Sequence, residues 1–259
     1  MMRRAAGLLI ACVIAAGCSR PGGGTAGDVP PARPDLSGIW IGSARASLST
    51  ADPRATRPLG QEGDIPYSPW GLERIKHTRP TNGPGASLET TNDPSIRYLD
   101  PNGYPRSSIH PMRFKLVQTP DYMYQLWEYN QTWRQIAIDK PHTPDLDLTW
   151  FGESVATWDG DALVVDVTGF KDSTWLDALG HPHSEDLRIV ERIRLTDPDT
   201  LAFEMTFHDP KAYTKPWSAT LTFKRATDGL MTENIYTPSE ELRFRERFLG
   251  EEPCLAVRE

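Results

Sequence analysis

The sequence is poor in cysteine, which bounds both its redox chemistry and its metal chemistry. Only Cys12, Cys18 and Cys254 occur in 259 residues. Cys12 lies in an apolar N-terminal leader and Cys18 follows that leader directly, which leaves Cys254 without a partner. We therefore predict no intramolecular disulfide, and the sequence has no cysteine-based zinc motif.

Several other signals are missing. The formal net charge is −7 and there is no basic run, which argues against nucleic acid as a partner. The chain has no glycine-rich phosphate loop, and neither Ser108 nor Ser173 lies in a G-x-S-x-G motif, which argues against nucleotide binding and serine nucleophiles. Helical segments do not alternate with the strand-like runs, so we do not expect a parallel α/β sheet.

The N-terminus carries the three parts of an export signal. Met1–Arg4 is basic, Ala5–Ala16 is small or apolar, and Ala15-Ala16-Gly17-Cys18 resembles a bacterial lipobox. The apolar run is too short to span a bilayer as a stable helix. We predict a signal peptide over residues 1–17 and a lipid on Cys18, with an ordinary cleaved signal peptide as the alternative.

Residues 18–35 predict a flexible tether, because they contain three consecutive glycines and four prolines without apolar periodicity. The resemblance to bacterial lipoproteins implies a diacylglyceryl anchor on Cys18. Ser19 resembles the pattern that is sorted to the outer membrane. The expected localisation is an exported, outer-membrane-anchored lipoprotein that faces the periplasm and contacts the membrane through its lipid alone.

Residues 36–259 predict one β-barrel-like domain that begins with an irregular wrapping segment, residues 43–113. Ten prolines occur between Ser43 and Pro111, and we expect one or two short helices there. The clearest would have Ser68 as its N-cap and Pro69 at its first position, and would end before Pro80.

From Phe114 onward, short alternating runs separated by turn residues predict roughly ten antiparallel strands. They include a hairpin, Glu153–Gly169, with a type I′ turn at Asp159-Gly160, and two late strands, Leu230–Tyr236 and Leu242–Leu249. We expect an all-β, antiparallel up-and-down barrel of lipocalin-like form, which closes its own edges. A two-sheet sandwich is the alternative.

Alternation along three of these strands places a glutamate among apolar residues. The residues are Glu153, Glu191 and Glu246, and the pattern predicts that each points into the barrel. An unpaired buried carboxylate costs about 3 kcal/mol or more, so each must have a water, a raised pKa or a partner such as Arg134 or Arg192. Either a satisfied ion-pair network or a polar ligand cavity would meet this requirement.

The loop Phe170–Asp186 is long for a β-meander, and such loops are often functional. We predict a short helix over Thr174–Leu179 with Gly180 after its end. His181 and His183 follow, and Pro182 keeps them extended, so their rings should project to one side.

Three interpretations of this histidine pair stay open. In the first, His183 is a general acid or base, His181 and Asp177 orient it, and Glu191 is the interior carboxylate. In the second, His181 and His183 bind a metal with a third donor; otherwise no cofactor is expected. In the third, the loop is exposed and both rings only bond to the backbone.

Several motifs in residues 95–225 are specific. They are Gln118-Thr119-Pro120-Asp121, Glu128-Tyr129-Asn130, Trp158-x-Gly160-Asp161-x-Leu163-Val164-Val165-Asp166, Thr174-Trp175-Leu176-Asp177, Gly180-His181-Pro182-His183-Ser184 and the run from Asp209 to Trp217. Together they resemble a large family of uncharacterised exported proteins of soil bacteria. The resemblance implies a common unit but no activity.

The expected function is general acid/base chemistry by a lyase, isomerase or hydrolase at a pocket in the barrel mouth. A glycoside or an aromatic compound would suit Trp127 and Trp175, whose faces can stack on either. Glu153, Glu246 and Arg134 are further candidate ligand-binding residues. The alternatives are a non-catalytic periplasmic lipoprotein that binds an apolar or aromatic small molecule, and a structural envelope protein that uses its proline-rich surface.

Overall fold

The structure is a computed structural model that describes residues 33–42, 47–49, 63–83, 86–235, 243 and 245–250. The predicted signal peptide, Cys18 and nearly all of the predicted tether lie outside the described residues. None of the helices in the described part of the chain has the length and apolar character that a membrane span requires.

Nine strands form a closed barrel, which confirms the prediction of an all-β barrel. They are β1 (Gly38–Gly42), β2 (Arg113–Gln118), β3 (Tyr122–Trp127), β4 (Trp133–Ile138), β5 (Glu153–Asp159), β6 (Ala162–Thr168), β7 (Arg188–Asp197), β8 (Thr200–His208) and β9 (Trp217–Arg225). The strands follow one another around the barrel in chain order, and β9 pairs back onto β1. Aromatic rings fill one side of the interior: Phe114 meets Phe223 edge-on at 4.8 Å, and Phe203 meets Phe223 at 5.0 Å.

One ladder departs from the up-and-down pattern. β4 and β5 are parallel, with Ile136 opposite Ser154, whereas all the other ladders of the barrel are antiparallel. The connection between these two strands, residues 139–152, is long enough to carry the chain back along the barrel. A tight hairpin would have imposed an antiparallel pair.

The predicted helix in the wrapping segment is confirmed as α1 (Pro69–Lys76). The Ser68 hydroxyl caps it by accepting a hydrogen bond from the Gly71 amide at 3.0 Å. A second short helix, α2 (Pro94–Arg97), begins after Asp93, whose carboxylate accepts from the Ser95 amide.

The prediction of two late strands, Leu230–Tyr236 and Leu242–Leu249, is wrong for those of their residues that the structure describes. Residues 230–235 contain no strand, and Arg245–Leu249 form a π-helical turn in which Glu246 is exposed. The physical reason is closure: β9 is already paired with both β8 and β1, so no free edge is left for a further strand.

The hairpin of β5 and β6 is confirmed, but its turn is displaced by one residue. Asp159 pairs with Ala162, so the two loop residues are Gly160 and Asp161. Gly160 has φ +62°, and Asp161 has no positive φ. A glycine of positive φ at the first loop position is typical of a type II′ turn, not of the predicted type I′ turn.

Candidate functional site

Glu191 lies in the barrel interior, as the alternation of β7 predicts, and it is fully paired. Its two carboxylate oxygens accept from Nη1 and Nη2 of Arg134, each at 2.9 Å, and neither side chain is more than 2% exposed. Arg134 also donates from Nε to Gln125 at 3.0 Å, and its guanidinium lies 3.8 Å from the centre of the Tyr104 ring. Of the two interpretations left open by the sequence, this geometry matches the satisfied ion-pair network.

The other two predicted interior carboxylates lie elsewhere. Glu153 is on the outer face of β5, where it accepts from the Thr143 amide at 2.9 Å and contacts Nδ1 of His142 at 2.8 Å. Next to Glu153 in β5, Ser154 is the buried residue. Gly152, with φ +66°, interrupts the alternation, so a face assigned from Phe151 does not carry over into the strand. Glu246 is exposed in the π-helical turn, so it too is outside the barrel.

The loop Phe170–Asp186 is built from turns, so the predicted helix over Thr174–Leu179 is wrong. Asp177 organises this loop. Its carboxylate accepts from the backbone amides of Leu179 at 3.0 Å and Leu48 at 2.8 Å, and it makes a short hydrogen bond with Nδ1 of His181. An aspartate that satisfies nearby amides in this way competes with helix formation. Burial opposes ionisation, but the charge and hydrogen bond of His181 outweigh it and lower the pKa of Asp177.

The two loop histidines are both buried and do not share a site. The ring of His181 bonds to Asp177 and lies 6.1 Å from the ring of Tyr67. The ring of His183 bonds to the Thr174 hydroxyl through Nε2 at 2.7 Å, and to the Ser184 carbonyl through Nδ1 at 3.1 Å. The interpretation of an exposed loop is therefore wrong, and the two rings bond to different partners. No group of three histidine, cysteine or carboxylate side chains in the described residues is arranged to hold a metal.

The partners of His183 determine which nitrogen carries its proton. The Ser184 carbonyl can only accept, so Nδ1 must donate to it. In a neutral ring Nε2 is then an acceptor, and the Thr174 hydroxyl donates to it. Burial lowers the pKa of His183, and the Ser184 bond and the charge of Asp209 oppose that shift without cancelling it. The lowered pKa favours the neutral ring, which is the form that can accept a proton.

His183 and Thr174 line an open cleft of about 410 Å³ between α1, the segment before α2 and the loop. The other lining residues are Arg74, His77, Thr78, Asn92, Pro94, Asp172, Ser173, Trp175, Gly180 and Pro182. Glu191 is not among them, so the prediction that it converges with His183 is wrong. Glu191 points into the barrel, whereas the loop packs against the residues that follow α1: Thr78 donates to the Gly180 carbonyl at 3.4 Å.

Charged and aromatic side chains supply the rest of the cleft. Arg74 and Asp172 form a half-exposed ion pair at 3.6 Å. Of the two predicted aromatic candidates, Trp175 lines this cleft, and the guanidinium of Arg106 lies 5.5 Å from its ring. Trp127 packs beside Tyr104 and Phe151 and lines a different pocket, together with Leu126 and Trp133.

Asp209 holds the chain next to His183, and no local pattern marks it in the sequence beyond its place at the start of the motif from Asp209 to Trp217. Its carboxylate accepts from the Ser184 amide at 2.6 Å, from the Ser184 hydroxyl at 2.8 Å and from the Ala212 amide at 2.9 Å. The Tyr213 hydroxyl donates to the Pro182 carbonyl at 2.6 Å. The turn after β8 therefore clamps the chain on both sides of His183.

Thr174 and Arg74 are the other cleft residues that the sequence interpretation did not select. A threonine before a tryptophan carries no catalytic signature, and Arg74 is one of several charges on α1. Comparison with family models, with curated proteins and with solved structures found no match. The resemblance to exported proteins of soil bacteria thus stays a prediction.

Proposed function

We propose that this barrel protein is an exported enzyme that performs general acid/base chemistry on a small organic substrate in the cleft beside α1. The observation that carries the proposal is the state of His183: a buried, neutral imidazole whose Nδ1 proton is held by a carbonyl and whose Nε2 faces a hydroxyl at the cleft. A base in this state can take a proton near neutral pH and return it later in the reaction.

The remaining predicted site residues take different parts in this proposal. His181 and Asp177 would hold the turn that precedes His183, rather than orient its ring directly. Trp175 would provide a stacking face for a glycoside or an aromatic compound. Glu191 and Arg134 would stabilise the barrel and take no part in the chemistry. A cleft of about 410 Å³ suits a small molecule.

A second candidate function is a non-catalytic periplasmic binding protein for an aromatic small molecule. It is favoured by Trp175, whose ring is backed by the cation of Arg106 at 5.5 Å and lines the cleft. In this case His183 would serve as a polar contact to the ligand. We propose the same lipid anchor on Cys18, and the same outer-membrane location facing the periplasm, for both functions.

His183→Gln tests the leading proposal against a panel of p-nitrophenyl esters, p-nitrophenyl glycosides and small aromatic substrates. We expect turnover to fall by about 10²-fold or more, because a glutamine keeps polar contacts but cannot carry the proton. His77→Gln is the matched control, since His77 lines the same cleft with a side chain that is 76% exposed. It should change turnover less than about threefold.

The pH profile supplies an independent check. Protonation of His183 removes the acceptor at Nε2, and its pKa lies below the ordinary value of 6.5. The acid limb of kcat/KM should therefore fall as the pH drops through a value below 6.5. A wild-type protein that binds a panel compound without turnover, and whose His183→Gln variant binds it within a few-fold, would favour the binding protein.

A further inference from the structure

A threonine hydroxyl stands where an attacking group would stand relative to the base. Thr174 Oγ1 lies 2.7 Å from Nε2 of His183, and both residues line the cleft. We propose that Thr174 is the nucleophile of an acyl-transfer reaction on esters, with His183 as its base. This inference rests on the proposed function of the cleft and adds the attacking group and the substrate class.

The side chain of Thr174 is fixed at both of its branches. Its hydroxyl bonds to the His183 ring, and its methyl carbon packs against Gly103: a Cβ added at Gly103 would lie 2.7 Å from Thr174 Cγ2. Gly103 has φ +71°, so a glycine is required there both for the backbone and for the space. Because the methyl carbon is held, the hydroxyl keeps one rotamer and remains directed at Nε2.

The base is oriented by a chain of hydrogen bonds that ends in a charge. Thr174 donates to Nε2 of His183, Nδ1 of His183 donates to the Ser184 carbonyl, and Ser184 donates from its amide and hydroxyl to Asp209. Nucleophile, base and orienting group within hydrogen-bond reach form the arrangement that activates a hydroxyl for attack. Here a backbone carbonyl holds the imidazole, and the buried Asp209 holds the residue that bears this carbonyl.

The reaction balances without a cofactor. Thr174 Oγ1 attacks the acyl carbon while its proton passes to Nε2 of His183. The bond to the leaving alcohol then breaks, and Nε2 returns the proton to the leaving oxygen. Nε2 then takes a proton from a water molecule, whose oxygen attacks the acyl carbon. The bond from the acyl carbon to Thr174 Oγ1 breaks and Nε2 returns the proton to Oγ1, which releases a carboxylic acid and restores the Thr174 hydroxyl.

Intact-protein mass spectrometry after reaction with p-nitrophenyl acetate tests the inference. We expect the wild-type protein to carry one acetyl group, and peptide mapping should place it on Thr174. Thr174→Val keeps the branched shape and removes the hydroxyl, so the acetyl group should be absent and turnover should fall by about 10³-fold. Thr174→Ser retains the hydroxyl but loses the methyl anchor, so it should be acetylated and turn over more slowly than the wild type.

Thr157→Val is the matched control, because Thr157 is an exposed threonine of β5 that does not line the cleft. It should leave both acetylation and turnover within about twofold of wild type. A melting curve for each variant separates loss of chemistry from loss of fold. If Thr174→Val unfolds, the site of acetylation in the wild type and in Thr174→Ser decides the question.

The two proposals fail in different ways. If Thr174→Val keeps turnover within a few-fold of wild type while His183→Gln loses it, the nucleophile is wrong and acid/base chemistry by His183 stands. If His183→Gln also keeps turnover, both are wrong. A wild-type protein that carries no acetyl group, or carries it on a residue other than Thr174, overturns the nucleophile assignment.

Discussion

Asp177, Glu191 and Asp209 are carboxylates that are almost fully buried, and each is compensated by a different set of groups. Glu191 meets a guanidinium in a two-point pair. Asp177 meets backbone amides and an imidazole, and Asp209 meets a hydroxyl and backbone amides. Asp177 and Asp209 lie in or beside the loop Phe170–Asp186 (the histidine loop, which carries His181 and His183), whereas Glu191 does not. Among these three residues, the carboxylate paired with a guanidinium lies inside the barrel, and the two that accept from backbone amides hold the loop beside the cleft.

Glu191→Gln should lower the free energy of unfolding by about 3–5 kcal/mol, because it leaves the buried charge of Arg134 without its counter-ion. Urea titration of the purified variant measures this loss. The double variant Glu191→Leu with Arg134→Met removes both charges, and we expect it to recover most of the stability.

The same variants also test the separation of the barrel pair from the cleft. Turnover per folded molecule should be unchanged in Glu191→Gln, since Glu191 is not among the residues that line the cleft. A loss of turnover without a loss of stability would show that Glu191 takes part in the reaction, as the sequence predicted.

Backbone geometry at a few glycines determines how the elements meet. Gly180, with φ +85°, lies against the end of α1, where a Cβ would be only 2.0 Å from Thr78 Cγ2. Gly71 faces the turn after β8, where a Cβ would be 2.2 Å from the Ala212 carbonyl oxygen. These close approaches bring α1, the histidine loop and the turn after β8 together. The cleft is thus a product of element packing, not of any one segment.

Gly160→Val should destabilise the β5–β6 hairpin by at least about 1 kcal/mol, because a β-branched residue at positive φ is strained. A Cβ at Gly160 has open space around it, so the effect would come from the backbone alone. Asp161→Val is the control at the other loop position, where φ is not positive. An equal melting temperature for the two variants would contradict this turn geometry.

At the scale of the molecule, the described chain begins beside the barrel, at Arg33, whose guanidinium pairs with Asp139 at 3.1 Å. If Cys18 carries the proposed lipid, the segment between it and Arg33 would connect the barrel to the outer membrane. The cleft would then face the periplasm, where small molecules that cross the outer membrane arrive. The proposed anchor and the proposed catalysis would be independent of each other.

Cys18→Ser should move the protein from the membrane fraction to the soluble periplasmic fraction, because it removes the atom to which the lipid is attached. Cell fractionation with immunoblotting measures the change, and Cys12→Ser is the matched control that should stay in the membrane fraction. Activity of the released protein should equal that of the wild type. A wild-type protein that is already soluble would show that the anchor is absent.

Local sequence patterns determined most strands of the barrel and α1, whereas closure into a barrel instead of a two-sheet sandwich was decided by the pairing of β9 with β1. Alternation over five to ten residues defines a strand, and a capping serine followed by a proline defines a helix start, without any information from the rest of the chain. For the same reason the alternation of β7 placed Glu191 correctly inside. The histidine loop was recognised as a candidate because its length and composition are also local properties.

Only the tertiary structure decided which groups meet. Glu153 lies on the outer face of β5 instead of the predicted inner face, because Gly152 interrupts the alternation. The strand predicted around Glu246 does not form, because the barrel has no free edge for it to pair with. His183 meets Thr174 instead of Glu191 because the loop folds onto α1, and that folding depends on contacts with Thr78 and Asp209 that are distant in sequence. Hydrogen bonds between residues far apart in the chain leave no periodic trace in the sequence, so composition and spacing cannot reveal them.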